Sequence, residues 1–215
     1  SHGVRVFSLA IDAAEVDAFS MWRDNTPFVF LNTRKSTEHS RFDAAHELAH
    51  LVLHRHGAPQ GQQAEREANA FASAFLMPRG SVLANARRLP SVEDLIKLKK
   101  DWAVSVAALA YRFRTLKILP AWHYRTLAIE ISSRGFRKRE PEEAQRETSQ
   151  VLAKVFASLR VDGVSKWDMA DEFHIPREEV DQLVFGLATI GLSGDQKRSA
   201  QNRRPHPRVL ASEGY

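Results

Sequence analysis

Apolar positions change their period near residue 40. Before it, Val4-Arg5-Val6-Phe7-Ser8-Leu9 alternates and opens with β-branched residues, and Phe28-Val29-Phe30-Leu31-Asn32 is a short apolar run. Both read as strands. A polar segment with Asp12, Glu15 and Asp17 leads to Phe19-Ser20-Met21-Trp22, and Asp24-Asn25-Thr26-Pro27 signals a turn. Thr33 to Ser40 is a polar loop, whose Ser40 or Thr37 can cap the next helix, with Ser40 nearer its start. From Arg41 the spacing is helical. Phe42, Ala45, Leu48, Ala49 and Val52 form an apolar face, Asp43, Glu47 and Arg55 a polar one, and Gly57-Ala58-Pro59 stops the run.

A second helix spans about Gln62 to Leu76, with Glu65, Asn69, Ala72 and Leu76 in one stripe and Glu67, Phe71 and Ala74 in another. Helical spacing continues from Arg79 to Leu89, and Pro90 ends it. Ser91-Val92-Glu93-Asp94 is a capping-box pattern for a helix with Leu95, Ile96, Leu98 and Trp102. Ala103-Val104 breaks that helix, and Ser105 caps another with Val106, Leu109, Ala110, Phe113 and Leu116. The pair has a helix-turn-helix shape with Arg112, Arg114 and Lys117 near its end, a weak signal for DNA contact because basic ends also suit the helix dipole.

Further helices are expected over Trp122 to Ile131, Thr148 to Leu159, Ser165 to Phe173 and Arg177 to Ala188. Arg134, Arg137, Lys138 and Arg139 cluster in a charged connection that reads as solvated surface. In the last pair Glu178 and Glu179 would meet phosphates badly, so it reads as a packing or homodimer module. From Gly194 the chain is polar and basic, the composition of a disordered tail. The expected class is α+β and mostly helical: a small sheet with two site-bearing helices, then an all-helical region. The expected divisions are 1–90 (catalytic), 91–120 (helix-turn-helix-like), 121–193 (helical) and 194–215 (tail).

His46-Glu47-Leu48-Ala49-His50 is an HExxH signature on the first helix. Histidines at i and i+4 share one face and can reach one ion, and the glutamate beside them can take a proton from a water that the ion activates. Catalytic zinc uses three protein ligands and an open position. Glu65 is the favoured third ligand because Asn69, one turn on, can hold a ligating histidine ring; Glu67 is the runner-up. His54 extends the ladder, but three successive turns of one helix do not surround a tetrahedral ion, so it backs the site or touches substrate. His56 reads as a solvated helix end, and His39 has no assigned role. Imidazole and carboxylate accept zinc and manganese alike.

The chain has 215 residues, no cysteine and a formal net charge of +5, with a pI near 9.7. Disulfides and thiolate metal sites are excluded, and a reducing, cytoplasmic setting is expected. No apolar run has the length of a membrane span. Without a Gly-rich phosphate loop or a nucleophile elbow, nucleotide hydrolysis and serine hydrolase chemistry are disfavoured. The charge permits an acidic partner or nucleic acid but requires neither.

RFDAAHELAHLVLH followed by EREANAFASAFLMP resembles the ImmA/IrrE family of metallo-endopeptidases, with Ala49 where glycine is more frequent, and the likeness extends to about residue 190. The resemblance implies a zincin-like minimal metallopeptidase with His46, His50 and Glu65 as metal ligands, Glu47 as general base and Leu76-Met77-Pro78 as the closing turn. It assigns Phe28 to Asn32 as a strand whose edge pairs with substrate. It implies a helix-turn-helix repressor as protein substrate in a stress or mobile-element response. It also implies an Xre-type DNA-binding domain upstream, since Ser1-His2-Gly3 has no initiator methionine and reads as a remnant of recombinant production. The alternatives are a non-proteolytic, metal-linked sensor and a DNA-binding regulator.

Overall fold

A computed structural model describes residues 3–9, 16–55 and 61–184, with Lys166 described in its backbone only. Asp12, Glu15, His56, the Gly57-Ala58-Pro59 stop, the end of the last helix after residue 184 and the expected tail lie outside these residues. The chain is α+β and mostly helical, as expected.

Three strands form one mixed sheet in the order β1-β3-β2: β1 is Arg5–Ser8, β2 Ala18–Arg23 and β3 Thr26–Leu31. β1 runs parallel to β3 with Arg5 opposite Phe28, and β2 runs antiparallel with Ala18 opposite Leu31. Asp24 and Asn25 join β2 to β3 with φ of 47° and 59°, a two-residue hairpin turn in the left-handed region that Asp and Asn tolerate. Thr26 and Pro27 therefore open β3 instead of completing the turn. Pro27 pairs only towards β2, because the β1 ladder starts at Phe28, so its missing N–H leaves no gap.

This order corrects the expectation for Phe28, Val29, Phe30, Leu31 and Asn32. Phe28 to Leu31 form the middle of the sheet with both edges taken, and Asn32 lies beyond the strand. The edges are β1 and β2, and β2, the edge packed against α1, is the strand that the apolar pattern had left unassigned. Its inward residues are Ala18, Ser20 and Trp22, while the larger apolar Phe19 and Met21 are exposed, which hides the alternation.

Helix α1 spans Thr37–Leu53, and Ser36 caps it, earlier than either expected residue: its Oγ accepts from the His39 N–H. Ala45, Ala49 and Leu51 are buried as an apolar stripe requires, but so is Glu47, whereas Val52 is 60% exposed. The expected polar face is turned towards the sheet. Helix α2, Gln62–Leu76, buries Ala64, Ala68, Ala72 and Ser73; such small residues let two helices approach closely.

The larger core joins Met77 and Val82 to Val92, Leu95, Trp102, Val104, Val106, Leu109, Phe113, Leu119, Leu127 and Ile131. It is built by α3 (Arg79–Asn85), α4 (Val92–Leu98), α5 (Val106–Thr115) and α6 (Ala121–Ser133). Ser91 and Asp94 make the expected capping box, and Ser105 caps α5. The divisions expected after residues 90 and 120 both pass through this single core. Arg112, one of the three cations near the end of the helix-turn-helix-like pair, donates from Nε to the Met77 carbonyl at 3.0 Å.

Helices α7 (Gln150–Val161), α8 (Lys166–Phe173) and α9 (Arg177–Val184) follow along the chain. α9 packs on β1 and buries Val180 and Val184. The connection before α7 crosses the start of α1. Thr37 N–H donates to Glu143 Oε1 at 2.7 Å, Arg146 Nη1 to Ser40 Oγ at 3.2 Å, and Ala144 N–H to Glu38 Oε1 at 3.0 Å. Beneath it Lys99 Nζ is 2.6 Å from Glu38 Oε1 and 3.4 Å from Glu140 Oε1.

Candidate functional site

The start of α1 is tied at Thr37, Glu38 and Ser40, and its middle lies between β2 and α2. That placement turns His46, Glu47 and His50 into a cleft of about 870 Å³, whose lining includes Ser20, Trp22, Asp43, Arg55, Glu65 and Asn69. His46 Nε2 and His50 Nε2 are 3.0 Å apart. Glu65 Oε2 is 3.2 Å from the first, and Glu65 Oε1 is 3.5 Å from the second. Among the described residues these three form the one cluster with donor atoms suited to a metal, all within 4.8 Å of one another.

The outer contacts of both rings set which nitrogens face the cleft. His46 Nδ1 lies 3.2 Å from Asn69 Oδ1, an atom that only accepts, so Nδ1 carries the proton and Nε2 the lone pair. His54 Nε2 lies 3.4 Å from Glu67 Oε2 and donates to it; its Nδ1, 2.9 Å from His50 Nδ1, then accepts from that ring. His50 Nε2 is thereby also left as a lone pair. Two lone pairs aimed at each other across 3.0 Å repel unless a cation lies between them. Bonds of about 2.0–2.2 Å at tetrahedral angles separate ligand atoms by about 3.3–3.6 Å; the two histidine nitrogens stand 3.0 Å apart, and the Glu65 carboxylate reaches one at 3.2 Å through Oε2 and the other at 3.5 Å through Oε1, near that spacing. The donor set suits a divalent ion. Burial, and next the neighbouring His46, push the His50 pKa down, which favours the neutral imidazole that ligates.

Sequence-expected residues thus separate by task. Glu65 stands with the histidines. Glu67, expected as the alternative, accepts from His54 and, at 3.1 Å, from Gln63 Nε2. Asn69 and His54 each hold one histidine. Glu47 is 8% exposed, and its Oε2 accepts from Ser20 Oγ at 2.6 Å. Ser20 was not anticipated, since it is 27 positions away and lies on the unassigned strand; alternation in Ala18-Phe19-Ser20-Met21-Trp22 was its only trace. Asp43 also faces the cleft, and burial pushes its carboxyl up, with Lys35 opposing.

Residues 1–114 match the family model described as the IrrE N-terminal-like domain of peptidase family M78. No curated protein matches the chain. The matched span holds the whole sheet, both site-bearing helices and every residue of the cleft. With more than half of its length inside that match, the chain belongs to the IrrE N-terminal-like family of M78 peptidases, a metallopeptidase family.

Proposed function

We propose that the chain is a metal-dependent endopeptidase in which His46, His50 and Glu65 hold zinc or manganese and Glu47 is the general base. The observation that carries this reading is the triangle of donor atoms with a buried carboxylate from the same helix beside it. A divalent ion in such a site supplies Lewis-acid polarisation of a carbonyl and of water. The side chains do the rest. Ser20 occupies Glu47 Oε2, leaving Oε1 to take a proton from the attacking water and pass it to the leaving amine. Asn69 and the His54–Glu67 pair keep the histidines in the tautomer that ligates.

Substrate is taken as an extended segment against β2. That strand runs along α1 with Ser20 at the level of Glu47, and it pairs only with β3 among the described residues. The proposed substrate is a helix-turn-helix repressor, cleaved to release a stress or mobile-element response. That choice rests on the family resemblance, not on the cleft.

The test incubates metal-loaded protein with candidate repressors and follows fragments by mass spectrometry. Wild type is expected to cut one of them at a single bond, and Glu47→Gln to slow the cut by at least about a hundredfold, the scale of general-base loss. Equal cutting by both would remove the mechanism.

A further inference from the structure

The two ends of the cleft differ in charge. At one end Asp17 and Asp43 flank Lys35, whose Nζ pairs with Asp17 and lies 3.9 Å from Asp43 Oδ2, so charge there is met from within. At the other end the Arg55 guanidinium lies 3.9 Å from the centre of the Trp22 ring and donates from Nη2 to Asn25 Oδ1. Neither contact neutralises it, and no described carboxylate pairs with it. Trp22 packs in turn on the cluster of Val29, Leu31 and Leu51, so the platform under Arg55 is fixed by the sheet and α1.

A guanidinium held over an indole face has little rotamer freedom left to lose, and its fork of donors matches a carboxylate. Along β2 the distance from Ser20, which marks the Glu47 level, to Trp22 is two residues. Side chains two apart on an extended peptide share a face and stand about 7 Å apart. A peptide lying on β2 with its reacting carbonyl beside Glu47 therefore brings a side chain two positions away to Arg55.

We propose that Arg55 is a specificity-determining residue that reads a peptide carboxylate about two residues from the scissile bond. The proposal deepens the endopeptidase reading and rests on the cleft being a peptide site. The shared chemistry, a carboxylate, comes from an acidic side chain or from a chain end.

The test uses full-length protein and peptides with Glu, Gln or Lys at each position around the cut bond, C-terminally amidated or free. In turnover, wild type is expected to favour Glu over Lys at one position by about fivefold in kcat/KM, the upper range for a partly exposed ion pair. Arg55→Glu is expected to reverse that order and Arg55→Lys to keep it in weaker form. Binding of the same peptides to Glu47→Gln, with and without Arg55→Glu, is read by fluorescence anisotropy and needs no catalysis. A preference confined to free C-termini assigns Arg55 to the chain end. An unchanged ranking after Arg55→Glu, or no peptide binding at all, overturns the proposal. Charge-dependent binding without cleavage keeps Arg55 and removes the peptidase reading, whereas cleavage without a charge preference does the reverse.

Discussion

Residues two apart on a helix point about 200° apart, and α2 puts that separation to use. Glu65 reaches both cleft-facing nitrogens, while Glu67 holds His54 and through it the His50 ring. Losing a ligand differs from losing a ring's orienting partner, which lowers metal affinity by about 10–100-fold. Glu65→Gln is therefore expected to abolish one-to-one metal retention through dialysis, and Glu67→Gln to leave it intact with affinity lowered about tenfold. Competition against a chelating indicator measures both. Equal losses would mean that the two carboxylates share the ion, contrary to the separation in the structure. The HExxH spacing and Asn69 were legible because each relation lies within one helix or its neighbour. Ser20 and the Arg55–Trp22 stack were not, because they join positions 27 and 33 residues apart that only the β2–α1 packing brings together.

Elements follow the same rule. Caps at Ser91 and Ser105 are local hydrogen bonds, and the sequence pattern shows them. Strand β2 escaped because its bulky apolar residues face outward, and the order β1-β3-β2 depends on a parallel pairing that no turn announces. Least visible was the chain between α6 and α7: Phe136 to Glu143 reads as an exposed charged connection, yet Glu143, Ala144 and Arg146 cover the start of α1. Lys99 is 1% exposed, Glu38 1% and Glu140 6%, and burial pushes the Glu140 carboxyl up while Val106 N–H and Lys99 oppose it. Removing the cation from such a cluster leaves two buried carboxylates facing each other, at a cost of about 3–5 kcal/mol. Lys99→Met is expected to lose stability on that scale in urea unfolding. Lys100→Met next to it breaks only an exposed pair with Glu142 and is expected to change stability by less than about 1 kcal/mol. Similar losses for the two would show that the buried cluster is not what anchors α1.

At the scale of the whole molecule, the matched span and the folded unit have different limits. The match ends at residue 114, yet the core under the Met77 turn is closed by Leu119 from the following loop and by Leu127 and Ile131 from α6, each no more than 2% exposed. A chain cut after residue 114 would uncover Met77, Val82, Leu95, Leu109 and Phe113, all 0% exposed in the full chain. It would also remove Glu143, Ala144 and Arg146, which hold the end of α1 that leads to His46. Full burial of a large apolar side chain contributes about 1.5–3 kcal/mol, and five such groups are together comparable with the roughly 5–15 kcal/mol that holds an ordinary domain together. The 1–114 fragment is therefore expected to bind a hydrophobic dye, to unfold without a cooperative transition and to retain no metal, while the full chain melts cooperatively with metal bound. Calorimetry and metal analysis on the two proteins decide it. A cooperative, metal-retaining fragment would show that the sheet, α1 and α2 carry their own stability and that the helices after them are an attachment, not the floor of the site.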